Sequence, residues 1–192
     1  DILALNNLTL NKDDGTVTVT YAANIAINTL NILSGKFNMA AFTLTVNQLL
    51  SLANSTNAIF STNASASALT IGGHATFGDA GVFITDATTV LNIGNAGTGT
   101  TNITLPNDIK NLNTLVINRG STASAISLGG NLTAAGVITL TQGKLVCGAN
   151  TVTIGGIFSG AATGNLDASG STVIFNAAPN FTNNPFTTSS TT

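Results

Sequence analysis

An all-β fold, a parallel β-solenoid with coils of about 23 residues, is predicted by three features of this chain. Short runs alternate polar and apolar residues, turn-forming residues follow each run, and equivalent runs recur at a spacing in the low twenties. Alternation begins at Thr16-Val17-Thr18-Val19-Thr20 and continues at Thr43-Leu44-Thr45-Val46, Leu69-Thr70-Ile71 and Val90-Leu91-Asn92-Ile93. It persists through Asn102-Ile103-Thr104-Leu105, Thr114-Leu115-Val116-Ile117, Ala125-Ile126-Ser127-Leu128 and Val137-Ile138-Thr139-Leu140. Thr151-Val152-Thr153-Ile154 and Thr172-Val173-Ile174-Phe175 close the series. Alternation rich in β-branched residues suits strands with one buried face, and the Gly, Asn, Ser and Asp between them turn the chain at little cost. Helical spacing is sustained nowhere; the segment Asn107 to Leu115 comes nearest, and its asparagines disfavour a helix.

The last apolar residues of the runs form two interleaved series. Ile71, Ile93, Ile117 and Leu140 follow one another in steps of 22, 24 and 23. Ile84, Leu105, Leu128, Ile154 and Phe175 follow in steps of 21, 23, 26 and 21. One coil therefore carries at least two strands. Stacking predicts that Ile93, Ile117 and Leu140 share one interior column, and Leu105, Leu128 and Ile154 another. Leu30 to Val46 also aligns without gaps on Ile138 to Ile154, matching Gly35 with Gly143 and Lys36 with Lys144. Ile71-Gly72-Gly73, Leu128-Gly129-Gly130 and Ile154-Gly155-Gly156 read as corners where a side chain would clash or φ must be positive. An antiparallel β-sandwich is the alternative, because short strands recurring twice per repeat also fit that class.

Composition narrows function. Charged residues are 6% of the 192, there is no Glu or Trp, and the net charge is −2. The basic footprint of a nucleic-acid binder is missing, and so is a polybasic stretch for an anionic membrane. A hydrophobic fraction of 43%, placed in alternating runs, argues against disorder. No run approaches the roughly 20 apolar residues of a membrane-spanning helix. The start at Asp1 reads as a mature or excised chain. The near-absence of charge points to a secreted, extracellular or cell-surface protein. Cys147, the single cysteine, reads as a small buried hydrophobe.

The stretches Leu115-Val116-Ile117-Asn118, Leu128-Gly129-Gly130-Asn131-Leu132-Thr133, Ile138 to Leu145 and Gly148 to Gly155 resemble the degenerate repeats of large secreted bacterial surface proteins. These are the adhesin-like and filamentous-haemagglutinin-like β-solenoids. The resemblance covers about a quarter of the chain well. It implies an exported, surface-associated repeat protein without catalysis.

No set of residues reads as an active, cofactor or metal site. His74 follows a Gly-Gly corner and has no Cys or Glu near it in sequence, so it reads as an exposed turn residue. Asp13-Asp14-Gly15 reads as a hairpin turn, and Asp79, Asp86, Asp108 and Asp167 are scattered. Arg119 is the only arginine, and nothing near His74, Asp79 or Arg119 in sequence forms an acid, base or ligand set, so alanine at any of the three is expected to leave the biological role intact. Gly94 to Gly99 lacks the following helix of a dinucleotide loop, and neither EF-hand nor Gly-Gly-x-Gly-x-Asp calcium repeats occur. Thr-x-Thr triplets such as Thr139-Leu140-Thr141 and Thr151-Val152-Thr153 raise an ice-binding solenoid as a minor alternative, but these two are 12 apart, about half a coil.

The organisation expected is an N-terminal strand arm at 1–22, the repeat domain at 23–176 and an extended arm at 177–192. The functional expectation is an extracellular structural protein, the subunit of a homopolymeric filament or coat. Its contacts are expected at strand edges and at Ile2, Leu3, Leu5, Leu8, Leu10, Phe181 and Phe186. The alternative is a segment of a surface adhesin that binds a glycan, although Tyr21 is the only tyrosine.

Overall fold

The computed structural model describes residues 3–12, 18–20, 23–62, 67–94, 99–161, 164–179 and 185–186. Among them there is no helix, and the strands pair in parallel to form a β-solenoid of about seven coils of about 22 residues. Parallel neighbours need a crossover of a dozen or more residues, and one coil supplies it. The antiparallel sandwich is thereby set aside.

One face runs through the whole stack. Its rungs are Leu3–Asn11, Ile25–Asn38, Thr43–Leu52, Ala68–Ile71, Val90–Ile93, Thr114–Asn118, Ile138–Val146 and Phe158–Gly160, each paired with the next. Along it, Ile27, Val46, Ile71, Ile93, Ile117 and Leu140 are successive register partners, all 0% exposed. The column predicted for Ile93, Ile117 and Leu140 is therefore present. The outward row beside it reads Thr45, Thr70, Asn92, Val116, Thr139 and Ser159, so threonines do not form an unbroken array there.

The second predicted column divides between two faces. Leu105 does pair with Leu128. Ile154 instead pairs with Ala134 on one side and Phe175 on the other, in a separate four-stranded ladder. Ile84 sits against Ser61 on yet another ladder. The coils of the C-terminal half turn through three strands rather than two. Beyond Leu128 the same face continues at 144–146, where Ser127 meets Val146 after a step shorter than the average coil. The longer step from Leu128 to Ile154 carries past a further corner.

Corners follow two rules. Gly35 and Gly143 take φ of 99° and 107°, and each bends a long strand, Ile25–Asn38 and Ile138–Val146, onto the next face. The match between these two stretches of sequence is thus a match of local shape. The paired-glycine corners are governed by crowding instead. A Cβ on Gly73 would lie 2.1 Å from the Gln48 carbonyl oxygen, and one on Gly129 would lie 2.4 Å from that of Leu105. Any side chain there would push neighbouring coils apart.

The ladders on the other two faces are interrupted midway. His74–Phe77 pairs with Thr43–Leu52 below it, and Ile103–Leu105 pairs with Ala125–Leu128 above it. These two inner strands lie against each other without a ladder between them. Below the interruption the interior of one face is aromatic. Phe37, Phe60 and Phe83 stack with ring centroids 5.5 and 4.8 Å apart, and Phe77 meets Phe83 edge-on.

Candidate functional site

Three places could carry function: the buried polar groups, the coil ends, and a groove at the interrupted ladder. Arg119 belongs to the first. Its side chain is fully buried. Nη1 donates to the Gly73 carbonyl at 2.7 Å and Nη2 to the Thr101 carbonyl at 2.7 Å, while its own backbone N–H donates to Gln142 O at 2.8 Å. Burial holds the guanidinium below its ordinary value. One side chain thereby ties three successive coils together beside the interruption, and it satisfies carbonyls that no strand partner reaches. Arg119 acts as a structural clamp.

His74 opens the strand His74–Phe77 opposite Leu49 and is half-buried, rather than lying in an exposed turn. Asp13, Asp14, Gly15 and residues 95–98 lie outside the described residues. Among the described residues no group of three or more His, Cys, Asp or Glu could hold a metal ion. Nor is any helix among them long and apolar enough to cross a membrane, which leaves membrane β-barrels unaddressed.

Cys147 is buried, as the sequence implies. Burial pushes its thiol up to about 11; the Ser171 hydroxyl pulls it down and the Asp167 carboxylate adds to the rise. The folded chain therefore holds this proton more tightly than the unfolded one. The contribution to stability is complete below the ordinary value of 9.0 and is lost as pH rises through about 11. Its size follows from about 1.4 kcal/mol per unit, so roughly 2–3 kcal/mol. Urea titrations between these two pH values should show the native chain losing that much more stability than Cys147→Ala. Parallel pH profiles for the two proteins would refute the assignment.

The coil ends hold the residues expected at subunit contacts. Leu3–Asn11 lies parallel on 25–34 of its own chain, with Leu10 buried and Leu8 packed against the core. Leu5 pairs with Ile27, so it occupies the interior column, yet it is 36% exposed. At the other end Phe186 pairs with Leu166, itself buried, and is also 36% exposed. Ile157 and Ile174 are exposed in the same last coil. Ile2 and Phe181 lie outside the described residues.

The groove lies where the ladder is interrupted. It encloses about 500 Å³ between the end of His74–Phe77 with its following turn and the end of Ile103–Leu105 with its own. Phe77, Asp79, Thr104, Pro106, Asn107 and Asp108 line it, together with glycines. Sequence reading missed it because Asp79 and Asp108 are far apart in the chain; coil stacking brings them to one groove. The other two described carboxylates are engaged. Asp86 accepts from Thr88 N–H and Oγ1 at 2.8 and 2.7 Å, and Asp167 accepts from Ser169 Oγ at 2.6 Å and pairs with Lys144 at 3.0 Å. Hydrogen bonding holds both below the ordinary value, against the cost of their burial.

The fold defines the class, a parallel β-solenoid. Comparison with protein-family models, curated proteins and solved structures finds no match.

Proposed function

We propose that this chain is an extracellular structural element of a bacterial surface, a rod of stacked coils that lengthens by contact between copies. The observation that carries the reading is that large apolar side chains near the two ends of the described stack, Leu5 and Phe186, are each 36% exposed. A further coil set on either end would cover these apolar side chains. A surface almost free of titratable groups supports an exterior setting, since changing pH and salt have little to act on. The resemblance to secreted surface repeats points the same way.

Sedimentation velocity and negative-stain imaging across a concentration series test this. The native chain should form rods that lengthen with concentration, whereas Leu5→Asp and Phe186→Asp should stay monomeric with unchanged circular dichroism. Both positions are 36% exposed at the ends of the described stack, so a charge at either keeps contact with water. A native chain that remains monomeric throughout, or charged variants that assemble as well as the native chain, would show the reading to be wrong.

A further inference from the structure

We infer that the groove at the interrupted ladder is a binding site for a neutral saccharide. The inference does not depend on self-assembly, because the groove opens on the side of the stack and not at its ends. Its volume of about 500 Å³ falls within the range typical of small-ligand sites, about 300–1,000 Å³. The chemistry of the lining then selects the ligand.

No Lys, Arg or His lines the groove, and two carboxylates do, so an anion would be repelled. A calcium ion requires about six to eight oxygen ligands. Here two carboxylates come from separate corners, and no third His, Cys, Asp or Glu joins them among the described residues. A wholly apolar ligand would desolvate Asp79, Thr104, Asn107 and Asp108 without replacing their bonds to water. A sugar ring meets each requirement. Its hydroxyls donate to the carboxylates of Asp79 and Asp108, and they both donate to and accept from the Asn107 amide and the Thr104 hydroxyl. Its C–H face can lie against Phe77 and Pro106.

Asp79 and Asp108 differ from Asp86 and Asp167 in a way that matters here. The latter two spend their oxygens on their own turns. Asp79 and Asp108 make no such bond, so their acceptors remain available. The glycines contribute as well. A Cβ on Gly78 would lie 2.3 Å from Asn54 Cα, and one on Gly129 would lie 2.4 Å from Leu105 O, so these two lining positions must stay glycine and add backbone rather than side chain to the wall.

Amide chemical shifts of the full chain provide the test, with cellohexaose, mannohexaose, maltohexaose, hexagalacturonate and calcium chloride as probes. At least one neutral hexaose should move the amides of Gly78, Asp79, Asn107, Asp108 and Gly129. Asp79→Ala and Asp108→Ala should each weaken that binding about tenfold or more, the cost of a lost charge-assisted hydrogen bond. Asp79 is exposed, so its variant keeps the test decisive even if Asp108→Ala destabilises the fold. The assignment fails if no neutral hexaose moves these amides, or if Asp79→Ala binds as well as the native chain. It fails too if hexagalacturonate binds as tightly, or if calcium alone produces the same shifts.

Discussion

Arg119→Ala is expected to destabilise the fold by about 2–5 kcal/mol, because it leaves a cavity where a fully buried side chain stood and removes two charge-assisted hydrogen bonds to the carbonyls of Gly73 and Thr101. Arg119→Met separates the two contributions, since it keeps much of the volume and removes every donor. Arg119→Lys is expected to fall between them, because one ammonium does not reproduce a planar fork reaching two acceptors. Denaturant titration reads all three as shifts in midpoint at constant slope. A loss under about 1 kcal/mol for the alanine variant would mean the clamp carries no stability.

A loss of similar size is expected from Phe60→Ala. Phe60 is fully buried between Phe37 and Phe83, at 5.5 and 4.8 Å between centroids. Truncating a buried phenylalanine costs about 3–5 kcal/mol, and here two stacked contacts go with it. The parallel ladders fix the spacing of these coils, so the walls have little freedom to collapse into the void. Phe60→Leu should recover more than half of the loss. Thermal and urea unfolding of the three proteins measure it, and a loss below about 1 kcal/mol for the alanine variant would show that the site relaxes around the gap.

These two residues also mark what the sequence makes legible. The continuous face could be read because its steps stay near one coil and its partners are alike in type: Ile71, Ile93, Ile117 and Leu140. Phe37, Phe60 and Phe83 obey the same logic, each one coil beyond the last, in register on the strands Ile25–Asn38, Ala58–Ser61 and Val82–Ile84. Where corners change length the reading fails, as in the step from Leu128 to Ile154, which crosses from one face to another. Arg119 was not readable at all, because its partners are main-chain carbonyls 46 and 18 residues away, and backbone oxygens leave no signature in composition. The groove was hidden for a related reason. It exists where two strands that lie together fail to pair, and a missing ladder has no residue type of its own.

The uniform reach of the contacts has a consequence for how the chain attains its structure. Each rung docks on one about 22 residues earlier, so every step of growth closes a loop of nearly the same length and entropy. Folding can then start at any well-packed pair of coils and advance like a zipper in both directions. The advance meets a seam at the interrupted ladders, where the described residues are joined by the continuous face, by the Arg119 side chain and by packing without a ladder between His74–Phe77 and Ile103–Leu105. At the seam a coil gains fewer ladder bonds from its neighbour than elsewhere in the stack, so growth is expected to slow there.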